Sequence, residues 1–255
     1  MKFDSYIVSE TRTAFSVPLT QEIPIKKSFK KKDFTLAETL ITLSIIGVIA
    51  AMTVPTLMTN INNQQHITAL KKAYSNLSNA VKMMAINMGC DTDWSCVTAQ
   101  IKDTYQFRDI LASQLKTTQI MTNGIDFSDK YYSVYSPAGS FVTLDGTTMG
   151  FHGLMYHDTD ENTSYELILI DTNGVDKGPN LFGKDRHEFI VILENDNPLY
   201  SGVVIPYGAK QMSNYDTWWK ENYWQNTNFT LSRGNRAPLT GKVIETGKID
   251  EADYK

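Results

Sequence analysis

Residues 30–58 read KKKDFTLAETLITLSIIGVIAAMTVPTLM, and the fold turns on how this stretch is read. From Thr39 to Met58 no residue carries a charge. A bilayer core of about 30 Å takes about 20 apolar residues as helix, so length and composition predict a membrane-spanning helix. Thr42, Ser44 and Thr53 fit such a helix, because a hydroxyl bonds a backbone carbonyl one turn back. Lys26, Lys27, Lys30, Lys31 and Lys32 stand before the run. Lysines beside a span stay in the cytoplasm. That predicts a basic segment inside and the remainder of the chain on the other side of the membrane.

The bulk composition agrees with that division. The chain has 255 residues, 20 % charged and 42 % hydrophobic, which is ordinary globular composition. Its net charge of −4 is unevenly placed: residues 1–33 hold seven Lys and Arg against four Asp and Glu. The part beyond the span is therefore acidic, which argues against binding nucleic acid by bulk electrostatics.

Glu38 sits at the start of the apolar run. Insertion scales put Asp, Lys or Arg at a span centre at about 2.5–3.5 kcal/mol, and less near an end. Two readings follow. Either Glu38 lies at the headgroup level, or it meets a positive partner. The nearest such partner is the α-amino group of Phe34, which exists only if the chain is cut after Asp33. A plain signal anchor, and a secretory signal cut after Val48-Ile49-Ala50, are the simpler uses of the same run.

Phe34-Thr35-Leu36-Ala37-Glu38 and the following run, with Gly47, Ala50, Ala51 and Pro55, resemble the type IV pilins and type II secretion pseudopilins. The resemblance covers about 25 residues. It implies that a prepilin peptidase removes residues 1–33, cutting between Asp33 and Phe34 and N-methylating Phe34. It implies that Glu38 pairs with the Phe34 amine of a neighbouring subunit during assembly. The implied partners are other pilin-like subunits, the peptidase and the bacterial inner membrane, and the implied product is a pilus or a periplasmic pseudopilus. Asp33 stands where that family normally has Gly. Either a variant peptidase accepts it, or the chain stays uncut as a membrane-anchored extracytoplasmic binding protein or enzyme.

Beyond Pro55 the apolar pattern becomes one-sided. Ile67, Leu70, Tyr74, Leu77, Val81 and Met84 follow steps of three and four, one face of an amphipathic helix. The stripe is read as core packed on a sheet, with a short coiled coil as the alternative. Pro55 removes a backbone hydrogen bond and is expected to bend or loosen the helix. The expected organisation is a leader (1–33), a membrane and assembly helix (34–58), an amphipathic helix (59–88), a head (89–232) and a polar tail (233–255).

Within the head, residues 89–102 read as loop and hold the only two cysteines, Cys90 and Cys96. Their spacing closes a small loop, and an oxidising compartment favours pairing them. Asp103 to Lys116 reads as a helix with Tyr105, Phe107, Ile110, Leu111 and Leu115 on a broad face. Ser140–Leu144 and Thr147–Phe151 read as a hairpin turned by Asp145-Gly146. Tyr165–Ile170, Glu188–Leu193 and Val203–Ile205 are further strands. The fold class is therefore α+β, and the resemblance specifies a long N-terminal helix over a small antiparallel sheet.

The candidate chemistry is sparse. Some pseudopilins hold calcium in a sheet-connecting loop, and Asp171, Asn173, Asp176 and Asp185 offer oxygens in the segment from Asp171 to Asp185. The preferred reading is a loop held by its own side-chain-to-backbone bonds, with no cofactor. His152, His157, Asp158, Asp160 and Glu161 cluster in a segment read as a solvated connection. Trp218, Trp219, Tyr223 and Trp224 mark either a partner surface or a helix capping the core. Arg233 to Lys255 reads as a weakly ordered end. No nucleophile motif, phosphate-binding glycine loop or catalytic carboxylate pair stands out, so the chain is read as a structural protein and not an enzyme.

Overall fold

The computed structural model describes residues 35–130, 134–152, 156–158, 163–195, 198–214, 223–225 and 236–254. The expected cut site, Asp33 and Phe34, lies outside them. So do Asp160, Glu161, Trp218 and Trp219. The chain divides into two compact units, residues 1–50 and 51–255. The described part of the first is helical from Leu36. It belongs to α1 (Leu36–Asn87), which continues without interruption through Pro55. The helix spans Pro55 because a proline removes only one donor and the turns on either side keep theirs.

The second unit is an α+β fold. After α1 come α2 (Trp94–Gln100) and α3 (Thr104–Gln114). The strands are β1 (Thr117–Met121), β2 (Ile125–Asp126), β3 (Tyr135–Ser136), β4 (Ser140–Thr143) and β5 (Thr148–Phe151). They continue with β6 (Tyr156–Asp158), β7 (Thr163–Asp171), β8 (Arg186–Glu194) and β9 (Val203–Pro206). A last helix, α4, runs from Leu239 to Thr246. Seven strands form one sheet in the order β1-β4-β5-β7-β8-β9, with β6 also on β7, and β2 pairs β3 separately. Among the described residues each pairing between these strands is antiparallel.

The hairpin forms as its sequence predicts, with Phe141 opposite Met149. Gly146 in the turn has φ +87°, a conformation that favours glycine. Gly150 is needed for a different reason: a Cβ there would stand 2.4 Å from the Phe127 ring. β7 and β8 share the longest register, from Ser164↔Glu194 to Asp171↔Arg186.

The head-facing stripe of α1 is core. Ile67, Leu70, Leu77, Val81 and Met84 are buried, with Ala73 and Ala80 between them and Ala85 just after. They pack with Phe141, Met149, Phe151, Ile168, Phe189 and Val191 of the sheet. Tyr74 stacks on Phe189 at 5.6 Å between ring centroids and donates its hydroxyl to the Val204 carbonyl at 3.2 Å. The stripe therefore serves this chain's own sheet, which decides against the coiled coil.

Three local readings change. Residues 94–100, expected as loop, form α2, because the Asp93 carboxylate accepts from the Ser95 and Cys96 amides as an N-cap. Tyr105 is half exposed, not on the buried face of α3; Phe107, Leu111 and Ala112 occupy that face, with the Arg108 guanidinium reaching the Ala138 carbonyl. The C-terminal residues are not loose. Leu239 and Val243 of α4 are buried, and residues 251–254 form a short 3-10 turn that closes on the head.

Candidate functional site

The helix that starts at Leu36 presents apolar side chains along its early turns. Leu40, Ile41, Leu43, Ile45, Ile46, Val48, Ile49, Met52, Val54, Leu57 and Met58 are all exposed. No part of its most apolar stretch is buried, and it is long and apolar enough to cross a membrane. Hydroxyls bond carbonyls one turn back, as their positions predict: Thr42 to the Glu38 carbonyl at 3.0 Å and Ser44 to that of Leu40 at 2.8 Å. Thr39 bonds the Leu36 carbonyl at 2.8 Å. Each internal bond removes a donor that hydrocarbon could not satisfy.

Glu38 has a local partner that charge reasoning alone did not reveal. The Thr35 amide and hydroxyl both donate to Glu38 Oε2, at 2.9 and 3.0 Å. The Glu38 amide donates back to Thr35 Oγ1 at 3.3 Å. Thr35 and Glu38 are three apart at the helix start, so this is a reciprocal capping box. It satisfies two of the donors that every helix start leaves open. The signal was present in the sequence as Thr-x-x-Glu before an apolar run.

A disulfide joins Cys90 and Cys96 just beyond α1, with the Gln100 amide nitrogen 3.0 and 3.2 Å from the two sulfurs. It ties the end of α1 to the start of α2.

The segment from Asp171 to Asp185 lies between β7 and β8. Asp171 Oδ2 accepts from Arg186 Nε at 3.1 Å, and Oδ1 from the Asn173 amide at 3.2 Å. Asp185 accepts from the Asn180 and Leu181 amides, each at 2.8 Å. The Asn173 side chain donates to the Gly178 carbonyl at 3.0 Å. Asp176 is exposed. Burial and the neighbouring Asp185 carboxylate push Asp171 up to about 6, against the pull of Arg186. Asn173 Oδ1 and Asn180 Oδ1 are buried without a partner. Among the described residues no group of three His, Cys, Asp or Glu could hold a metal.

The other candidates separate. His152 is half-buried, and burial lowers its basicity. His157 and Asp158 fall on the short strand β6. Trp224 donates its ring N–H to Glu245 of α4 at 2.7 Å and its amide to the Gly208 carbonyl at 3.2 Å. At least that ring of the aromatic cluster is tied to the head.

Sequence reasoning missed a buried histidine. His187, on β8, is 1 % exposed. Its Nε2 lies 3.1 Å from the Lys184 carbonyl, so the neutral ring donates there, and Nδ1 has no partner. Burial pushes it down to about 3.

Residues 56–228 match the sequence profile of a family described as a family of unknown function (DUF6613). No curated protein and no solved structure matches the chain.

Proposed function

Starting from a chain that belongs to the DUF6613 family, whose function is not established, we propose a membrane-anchored, pilin-like subunit that self-associates through its apolar N-terminal helix. The observation that carries this reading is the run from Thr39 to Met58, uncharged and exposed along α1, with one carboxylate at its start. Such a surface requires lipid or other apolar helices around it. A helix leaving lipid for a bundle of its own kind keeps its apolar contacts. A carboxylate moving with it penalises any register that leaves it without a donor. Further support comes from the α+β head built on the second half of the same helix, and from the resemblance of Phe34–Pro55 to prepilin segments.

The test is the mature N-terminus of the protein isolated from host membranes, read by mass spectrometry. An N-methylated Phe34 is expected. A chain starting at Met1 refutes processing, and one starting at Ala51 refutes the anchor. Glu38→Val is expected to insert normally but to enter filaments at a reduced level; normal incorporation would sink the register mechanism.

One observation favours a second reading, the uncut anchor carrying a binding or enzymatic head. The capping box gives Glu38 a partner on its own helix, so a freed amine is not needed to explain its presence. The terminus at Met1 belongs to this reading.

A further inference from the structure

The head-facing stripe of α1 changes character at its beginning. From Ile67 onward it is apolar and buried. Before that, Thr59, Asn62, Asn63 and His66 stand at i, i+3, i+4 and i+7, which is one helix face. They line a chamber of about 410 Å³ closed by Lys184 and Glu251, among others. A face that would otherwise be core is polar where it meets this space.

The chamber has unused hydrogen-bonding capacity of both kinds. Lys184 Nζ lies 3.1 and 3.2 Å from the two Glu251 oxygens and 4.7 Å over the Tyr254 ring. An ammonium has three N–H groups, so one remains. Glu251 Oε1 also accepts from Asn63 Nδ2 at 3.2 Å. A carboxylate takes about four hydrogen bonds, so Oε2 keeps a vacancy. The Thr59 hydroxyl donates to the Pro55 carbonyl at 3.1 Å, which leaves its oxygen as an acceptor. Asn62 contributes two N–H groups. Burial lowers His66 below its ordinary value, so at pH 7 it adds polarity without charge.

Position selects the ligand class. Thr59 and Asn62 follow Met58, the end of the uncharged run, by about 2 and 6 Å of helix rise. The headgroup layer extends roughly 5–8 Å beyond the hydrocarbon on each side. The chamber mouth therefore lies at headgroup depth in a chain anchored by that run. We propose that the chamber holds the headgroup of a membrane phospholipid bearing both a phosphate and a primary ammonium. The phosphate sits against Lys184 and Asn62, and the ammonium against Glu251 Oε2 and Thr59 Oγ1. A zwitterion matches a chamber whose fixed charges cancel. A purely anionic headgroup would face Glu251, and a trimethylated ammonium has no N–H to donate. The inference rests on the membrane-span reading and adds a lipid preference to it.

The experiment uses the full chain in nanodiscs of equal phosphatidylethanolamine, phosphatidylcholine and phosphatidylglycerol, followed by native mass spectrometry of the lipid retained. One phosphatidylethanolamine per chain is expected. Lys184→Gln and, separately, Asn62→Leu are expected to lower its occupancy about tenfold, the worth of one charge-assisted hydrogen bond. Asn62→Leu leaves every ion pair in place, so it tests the site even where Lys184→Gln disturbs folding. Soluble glycerophosphoethanolamine at millimolar concentration is expected to displace the lipid; failure to displace it overturns the headgroup assignment. Retention of the three lipids alike, or undiminished retention in Asn62→Leu, overturns the proposal. A chain that alkaline carbonate strips from membranes overturns the span and this site together. A chain that stays embedded but selects no lipid overturns this site alone, and leaves assembly to be decided by Glu38→Val.

Discussion

Acid should destabilise the head through His187, and the size of the effect follows from its burial. The folded ring titrates at about 3 against an ordinary 6.5. Because the folded value is depressed, the unfolded chain binds a proton below pH 6.5 that the native protein refuses until about pH 3. Stability is therefore complete above 6.5 and falls as pH drops through that window. At pH 4.5 the unfolded state is favoured by about two pH units of proton binding, roughly 3 kcal/mol. Asp171 works in the opposite direction over part of the range, since its folded value is raised to about 6 and acid relieves it. A variant comparison removes that opposition. His187→Gln keeps an amide nitrogen near the position of Nε2, able to donate to the Lys184 carbonyl, and does not titrate. The assay is urea unfolding of the wild type and His187→Gln at pH 7.5 and 4.5. Asp171 contributes equally to both chains and cancels. At pH 7.5 the variant should be the weaker of the two, through altered packing. At pH 4.5 that gap should close or reverse by roughly 3 kcal/mol. A gap that stays constant with pH refutes the buried, neutral histidine.

Leu77→Ala, in the core between α1 and the sheet, should cost about 2–5 kcal/mol in urea unfolding, because it removes a fully buried side chain. Asp171→Ala leaves the Arg186 guanidinium, 5 % exposed, without its carboxylate, and should cost about 3–5 kcal/mol by the same assay. Millimolar calcium should leave the melting temperature unchanged, because the Asp171 and Asp185 oxygens are already bonded within the loop. A rise in melting temperature would show that the loop exchanges those bonds for the cation.

The long elements were legible because their signals are redundant. The stripe from Ile67 to Met84 repeats over five turns, and most of its positions are buried as the period requires. The β4–β5 hairpin announces itself through Asp145-Gly146, and β7 and β8 through runs of branched and aromatic residues. β1 was not legible. Thr-Thr-Gln-Ile-Met shows no alternation, and its burial does not alternate either. It is a strand because β4 offers it a ladder, with a register shift between Thr117 and Gln119. The C-terminal residues were misread for a related reason. α4 is only eight residues long, and its buried large apolar side chains, Leu239 and Val243, make a single i, i+4 step, too short a signal to stand out in a polar end. What holds the end in place is polar: Lys242 to Asp253 at 2.7 Å, and the Tyr254 hydroxyl to the Phe182 carbonyl at 2.9 Å. Pairs so close in sequence, or so far apart, carry no periodicity.

The capping box sharpens the question of what Glu38 does in assembly. Both Thr35 donors fall on Oε2, and Oε1 accepts nothing from the described residues. A carboxylate has room for a further donor on that second oxygen, so capping and pairing with a neighbour's amine are compatible. If the proposed assembly holds, Thr35 is a positioning residue that keeps the carboxylate at the helix start and leaves Oε1 for the partner's donor. Thr35→Ala should cost the helix start about 1 kcal/mol, the usual worth of an N-cap. It should reduce filament incorporation less than Glu38→Val, because the charge survives although its orientation is lost. Thr35→Ser keeps the hydroxyl and should restore both. If Thr35→Ala and Glu38→Val abolish incorporation equally while Thr35→Ser does not rescue, Thr35 is doing something other than holding Glu38. If Thr35→Ala leaves incorporation untouched, the capping box serves the helix alone, and the carboxylate finds its assembly partner without it.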